Sequence, residues 1–214
     1  RVAVALKDAG MEDSDINSYL QPMLDAAWSM EEGLERIPLF NDAGNNVSKS
    51  LQALVFACKN HFGITPKYRA RFESGGFYIF KKDDWKFIID AGQPGPVYIP
   101  GHAHCDAMSF ELFKAGKPVI VNCGTYAYQC EERSFFRSTA AHNTVMINNT
   151  EQSQCWGAFR MAKRSKVKVI SVSENSIVME MIDQKGQAVR RTIQIGDNLS
   201  VTDESNGKII GYLH

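Results

Sequence analysis

The densest chemistry in this sequence lies in Pro100-Gly101-His102-Ala103-His104-Cys105-Asp106. Imidazole has the unperturbed pKa nearest neutrality, so it suits both proton transfer and metal ligation. Residues two apart in an extended segment point the same way, which predicts that His102, His104 and Asp106 share one face. Such a face can hold a metal or pass a proton. A third histidine, His142, follows small residues in Ser138-Thr139-Ala140-Ala141-His142-Asn143-Thr144-Val145 and leads into a strand. His61 ends a helical run, where the helix dipole accounts for it. His214 is the last residue, and neither ranks with the other three.

The composition narrows the partners. Lys and Arg together number 24, as do Asp and Glu, giving a formal charge of zero with the signs interspersed. That leaves no electrostatic footprint for nucleic acid. No apolar run approaches the roughly 20 residues of a membrane-spanning helix. Beginning at Arg1 with no charged-then-apolar leader, the sequence reads as a piece of a longer protein. Its five cysteines are odd in number and include no CxxC pair, against both a disulfide framework and a zinc ribbon. Free thiols are expected, with Cys105 and Cys123 acting as small hydrophobes.

Two kinds of element must position these groups. In the first sixty residues Ile16, Tyr19, Leu20, Met23, Leu24, Ala27 and Trp28 recur at helical spacing behind caps at Asp13 or Ser14. A second helix runs from a cap at Ser48 or Ser50 through Leu51, Leu54, Val55 and Cys58 to a stop at Gly63. The apolar loop Ile37-Pro38-Leu39-Phe40, closing on Asn41-Asp42-Ala43-Gly44, separates them. From about Gly75 the period becomes two, with a hairpin at 77–80 and 85–89. Alternation returns at 166–172, 177–182, 189–195, 199–202 and 209–213, punctuated by turn residues. Short strands without intervening helices predict an antiparallel sandwich. The reading is therefore α+β, helical over 1–66 and sheet over 67–214.

An HxH pair also occurs in cupins, where a Glu ligand follows three or four residues later. Met108 and Ser109 stand near those positions and Glu111 arrives too late. The order of four blocks is more specific: Gly101-His102-Ala103-His104-Cys105-Asp106-Ala107-Met108 to Leu112, then Gly116-Lys117-Pro118 to Gly124-Thr125-Tyr126, then Arg137-Ser138 to His142-Asn143-Thr144, then Glu151-Gln152-Ser153 with Trp156-Gly157-Ala158-Phe159-Arg160. This series resembles the C-terminal signature of heparinase II/III-like proteins, as do Leu39-Phe40-Asn41-Asp42 and Ile89-Asp90-Ala91-Gly92 ahead of it.

The resemblance implies the end of an incomplete α/α toroid followed by a truncated antiparallel β-sandwich, with an acidic polysaccharide in the cleft between them. It implies β-elimination at a uronic acid, with neutralising and catalytic toroid residues supplied upstream of Arg1. His102 matches the catalytic histidine. His104, position 122 and His142 match a metal trio for one structural zinc, or a calcium, although Asn122 stands where an Asp is usual and is a poorer zinc ligand. Tyr126 is a candidate proton carrier, Arg137 a candidate clamp for a substrate carboxylate, and Asp106 a group that orients a histidine. Trp156 and Phe159 are expected in the core. A periplasmic or secreted location follows from the same resemblance. A non-catalytic glycan-binding relative is the alternative, favoured by Asn122.

Overall fold

The computed structural model describes residues 1–11 and 13–214. Three helices come first: α1 (Val2–Asp8), α2 (Ser14–Glu31) and α3 (Leu51–Phe62). The Asp13 carboxylate accepts from the backbone N–H groups of Asp15 and Ile16 and starts α2. Ser50 caps α3 through the Ala53 N–H, and Gly63 ends it at a φ of 68°, where a side chain would be strained. Residues 32–50 form no helix or strand. They return from the helices to the sheets and carry Asn41 and Asp42.

The first strands are β1 (Arg71–Phe72), β2 (Phe77–Lys82), β3 (Trp85–Asp90), β4 (Phe110–Lys114) and β5 (Lys117–Ile120), paired in sequence order as an antiparallel sheet. The short α4 (Arg133–Phe136) and the strands β6 (Val145–Ile147), β7 (Gln154–Trp156) and β8 (Arg160–Ala162) come next. A meander of β9 (Lys166–Val172), β10 (Ser176–Ile182), β11 (Ala188–Ile195) and β12 (Leu199–Ser205) makes the second sheet. The final strand, β13 (Ile209–Gly211), pairs with β6, and β7 pairs with β8. The last alternating run thus leaves the meander to close on the loop region behind the histidines.

The pleat explains why the first sheet is apolar on both faces. Tyr78, Phe80, Phe87, Ile89 and Leu112 pack against Ile177, Met179, Met181, Val189 and Ile193 of the second sheet. Ile79, Ile88 and Phe113 point the other way, onto Phe40, with Met30 and Leu34 beside it. The return segment is therefore glued to the back of the sheet. Lys86 strengthens that contact by donating from Nζ to the Glu32 carbonyl at 2.9 Å. Glu111 does the same from β4, accepting at Oε1 from the N–H groups of Leu39 and Asn122, both at 2.9 Å.

Arg191 is the exception on the inward face of β11, lying between Val189 and Ile193 and only 2% exposed. It pairs with Asp203 on β12 at 2.7 Å and donates to the carbonyls of Met108 and Asn143, each at 2.9 Å. Met108 is fully buried at a φ of 60°, a backbone state uncommon for a large side chain. The second sheet thus reaches through the core to hold the ends of two histidine-bearing segments. Arg191→Met should destabilise the chain by about 3–5 kcal/mol in urea unfolding, because it strands Asp203 and two carbonyls. Arg190→Met, on the exposed face of the same strand, should cost less than about 0.5 kcal/mol.

Candidate functional site

One carboxylate gathers the site. Asp42, in the return segment, is nearly buried, with its side chain 6% exposed. Its Oδ1 accepts from His104 Nε2 at 2.7 Å, from Thr125 Oγ1 at 2.6 Å and from Arg133 Nη1. Its Oδ2 accepts from His102 Nδ1 at 2.7 Å and from Arg133 Nη2 at 3.0 Å. Burial alone would raise this carboxyl, but the donors of His104, Arg133, Thr125 and His102 outweigh it and hold the group well below the usual carboxylate range. Asp42 is therefore ionised near neutral pH.

That charge fixes the protons of both imidazoles. An ionised carboxylate only accepts, so His102 carries its hydrogen on Nδ1 and His104 on Nε2. Neutral His102 then has a bare Nε2 lone pair, and its side chain is 67% exposed. This pairing of an oriented imidazole with an accessible nitrogen is the arrangement of a general base. Its wall is aromatic: the His102 ring meets Tyr128 edge-on at 5.9 Å and Phe159 at 5.6 Å, and these two rings lie 5.0 Å apart. Arg133 sits over Tyr128 and Phe159, with its Nε on the Ala158 carbonyl at 3.1 Å.

His104 faces inward instead. Neutral His104 leaves Nδ1 as an acceptor 3.2 Å from His142 Nε2, whose hydrogen is shared with the Phe136 carbonyl at 3.0 Å. His142 Nδ1 faces Asn122 Oδ1 at 3.2 Å. That oxygen also accepts from the Asn143 N–H at 3.3 Å, and Asn122 Nδ2 is buried without a partner. Burial lowers both imidazoles, His142 down to about 3, so the pair stays neutral. A zinc or calcium ion requires donors aimed at one point, and these are not. His142 turns opposite ring nitrogens to His104 and Asn122, and a neutral amide is a poor ligand. The trio fits a hydrogen-bonded network.

The remaining expected residues divide. Asp106 is buried, accepts from the Asn41 N–H at 2.9 Å, and Asn41 Oδ1 in turn accepts from the His104 N–H at 3.0 Å. It therefore positions the backbone of His104 and Asp42 together. Burial raises the Asp106 carboxyl, and burial with the Asp106 charge raises Asp90 behind it. Arg137 cannot clamp a substrate: it is 1% exposed and donates to the carbonyls of Ala103, Gly157 and Arg160. It locks the histidine loop to β7 and β8. Tyr126 is 82% exposed, while Tyr128 is the tyrosine ring against His102. Trp156 and Phe159 are 46% and 45% exposed rather than core, because the β7–β8 turn lifts them to the surface. Only His102 of the HxH face reaches solvent.

Sequence reasoning missed the hub itself. Asp42 reads as a turn residue, and Arg133 and Thr125 carry no local signal. Gly124 shows how Thr125 arrives: at a φ of 59°, a Cβ there would stand 2.4 Å from the Ala43 carbonyl. The close approach lets Thr125 N–H bond that carbonyl at 3.0 Å, beside Asp42.

A model of the heparinase II/III-like C-terminal domain matches residues 64–209. A heparin-sulfate lyase of Bacteroides stercoris is 27% identical over 164 residues, covering 71% of this chain and 23% of that protein. A heparin-sulfate lyase of Pedobacter heparinus is 26% identical over 142 residues, covering 61% and 21%. The fold is similar to a heparinase III structure with a TM-score of 0.72 at 22% identity, covering 94% of this chain and 34% of that one. It is also similar to the heparan sulfate lyase HepC of Pedobacter heparinus, TM-score 0.66 at 19% identity, covering 97% and 36%. The chain spans less than a quarter of the curated relatives it matches.

Two outcomes test this geometry. Gly124→Ala should lower the melting temperature, since strain and a clash with Ala43 fall at one atom. Because folding depresses His142, the unfolded chain binds the extra proton between about pH 3 and its ordinary value, so stability contributed by neutral His142 falls as pH falls through that window. The stability gap between native chain and His142→Gln, measured by urea unfolding, should therefore narrow on acidification from about pH 7 to about pH 4.

Proposed function

This chain belongs to the heparinase II/III-like family, and on that premise we propose that it is part of a polysaccharide lyase that cleaves a uronic-acid-containing glycosaminoglycan by β-elimination. The observation that carries the reading is the exposed His102 ring, fixed by Asp42 at 2.7 Å with its other nitrogen free. Elimination requires a base for the C5 proton, neutralisation of the neighbouring carboxylate and a proton for the departing C4 oxygen. His102 Nε2 takes the C5 proton, and the imidazolium so formed is stabilised by the Asp42 carboxylate behind it. Tyr126, exposed on the same stretch as Tyr128, is the proposed proton carrier to the leaving oxygen. Tyr128 and Phe159 offer flat apolar faces to a sugar ring beside the base. No water is consumed, so the paired carboxylates of hydrolysis are not required.

Other parts of the reading rest on the relatives. Their names support a glycosaminoglycan substrate, and the carboxylate-neutralising group is assigned to the part of their length that this chain does not span. A periplasmic or secreted site of action suits a polymer of that size. Among the described residues no helix is long and apolar enough to cross a membrane.

The test is the full-length protein on heparan sulfate, heparin, chondroitin sulfate and alginate, followed by the ultraviolet absorbance of unsaturated uronate ends. His102→Ala should reduce the rate by about 10²–10⁴ with little change in melting temperature. Asp42→Asn should reduce it comparably, since the wrong imidazole tautomer is then permitted. Affinity for a glycan without cleavage, unaltered by His102→Ala, would sink the lyase reading in favour of a non-catalytic binding protein.

A further inference from the structure

Two thiols meet just behind the histidine loop. Cys105 follows His104 and is 1% exposed, and Cys155 lies in β7, partly exposed. Their Sγ atoms are 3.6 Å apart. A disulfide holds its sulfurs at about 2.05 Å, so closure asks for roughly 1.5 Å, shared between two side chains. The other three cysteines are free and differently placed: Cys58 is in α3, Cys123 Sγ lies 3.6 Å from the Gly124 carbonyl, and Cys130 Sγ lies 3.5 Å from the Ala127 carbonyl.

We propose that Cys105 and Cys155 form a thiol pair that closes into a disulfide by exchange with an external disulfide. The two positions divide the chemistry. Cys155 is the accessible partner, and the hydrogen bond from Cys105 holds its thiol below the ordinary value although burial opposes this. Its thiolate attacks one sulfur of the incoming disulfide, whose S–S bond breaks and releases one thiolate with the electron pair. Cys105 then gives up its proton and attacks Cys155 Sγ in the mixed disulfide, expelling the second external thiolate. Two protein thiols are oxidised, one external disulfide is reduced to two thiols, and the two protons released pass to the leaving groups. Cys105 resolves without reaching solvent.

The bond would join segments already tied by weaker links. Arg137 connects the Ala103 carbonyl in the histidine loop to the carbonyls of Gly157 and Arg160 around the β7–β8 turn, each at 3.2 Å. Arg133 hangs from the same turn through Ala158. A Cys105–Cys155 bond would staple the loop that presents His102 to the hairpin that supports both arginines. The inference does not depend on the lyase reading.

The experiment equilibrates the purified chain in glutathione buffers of increasing disulfide content, alkylates the remaining thiols, and maps peptides by mass. Oxidation should remove two of the five free thiols and yield one linked Cys105–Cys155 peptide. The melting temperature should rise on oxidation for the native chain and for Cys130→Ser, and stay constant for Cys155→Ser, whose partly exposed position spares the fold. Retention of all five thiols, a different linked pair, or a glutathione adduct that persists on Cys155 would each overturn the proposal.

Discussion

The structure depends on one desolvated carboxylate and the five hydrogen bonds that keep it charged. A buried anion is costly unless its oxygens are filled, so each donor to Asp42 is tied to the others by a shared requirement. Remove Arg133 and the charge is underpaired; neutralise the charge and the tautomers of His102 and His104 are no longer set. The arginine is itself held, from above by two aromatic rings and at Nε by the Ala158 carbonyl. Chemistry at an exposed imidazole is thus specified by a group that solvent scarcely touches.

Three layers bring these groups together. The helices and the return segment lie on one face of the five-stranded sheet, and the meander lies on the other. Polar ties cross the apolar layers at chosen points: Glu111 from β4 to Leu39 and Asn122, and Arg191 from β11 to Met108 and Asn143. Both carry charge through a core that would otherwise be dry, and both end on backbone groups of the loops around the histidines. Loop precision here comes from charged side chains anchored in strands.

The sequence displays period and punctuation well, and contact across long separation poorly. The helix caps at Asp13 and Ser50 and the strands at 166–172 and 177–182 are legible because alternation, turns and caps are local properties. His102 and His104 stand out because rare titratable residues two apart are a local signal as well. Asp42 does not, for it lies 60 residues before His102 and 91 before Arg133 and its role exists only after folding. The structural role of Arg137 is not legible because an arginine's type announces charge and not direction, and here its donors turn inward. Trp156 and Phe159 invert the usual rule for aromatics, since a two-strand hairpin too short to bury them leaves both at the surface, Phe159 beside His102. Asn122 was legible as a departure, and its consequence, a network in which His142 serves two neighbours from opposite nitrogens, required coordinates.

The matched family region begins at residue 64, whereas the carboxylate sits at position 42 in the segment between the helices. The border of the matched domain and the border of the site therefore fall in different places. The sheets carry the imidazoles, and the helical side lends the charge that decides which nitrogen each proton occupies. Such a site has no meaning within either half alone. A sandwich cut away from its helical side would keep every histidine and lose the carboxylate that sets their protons.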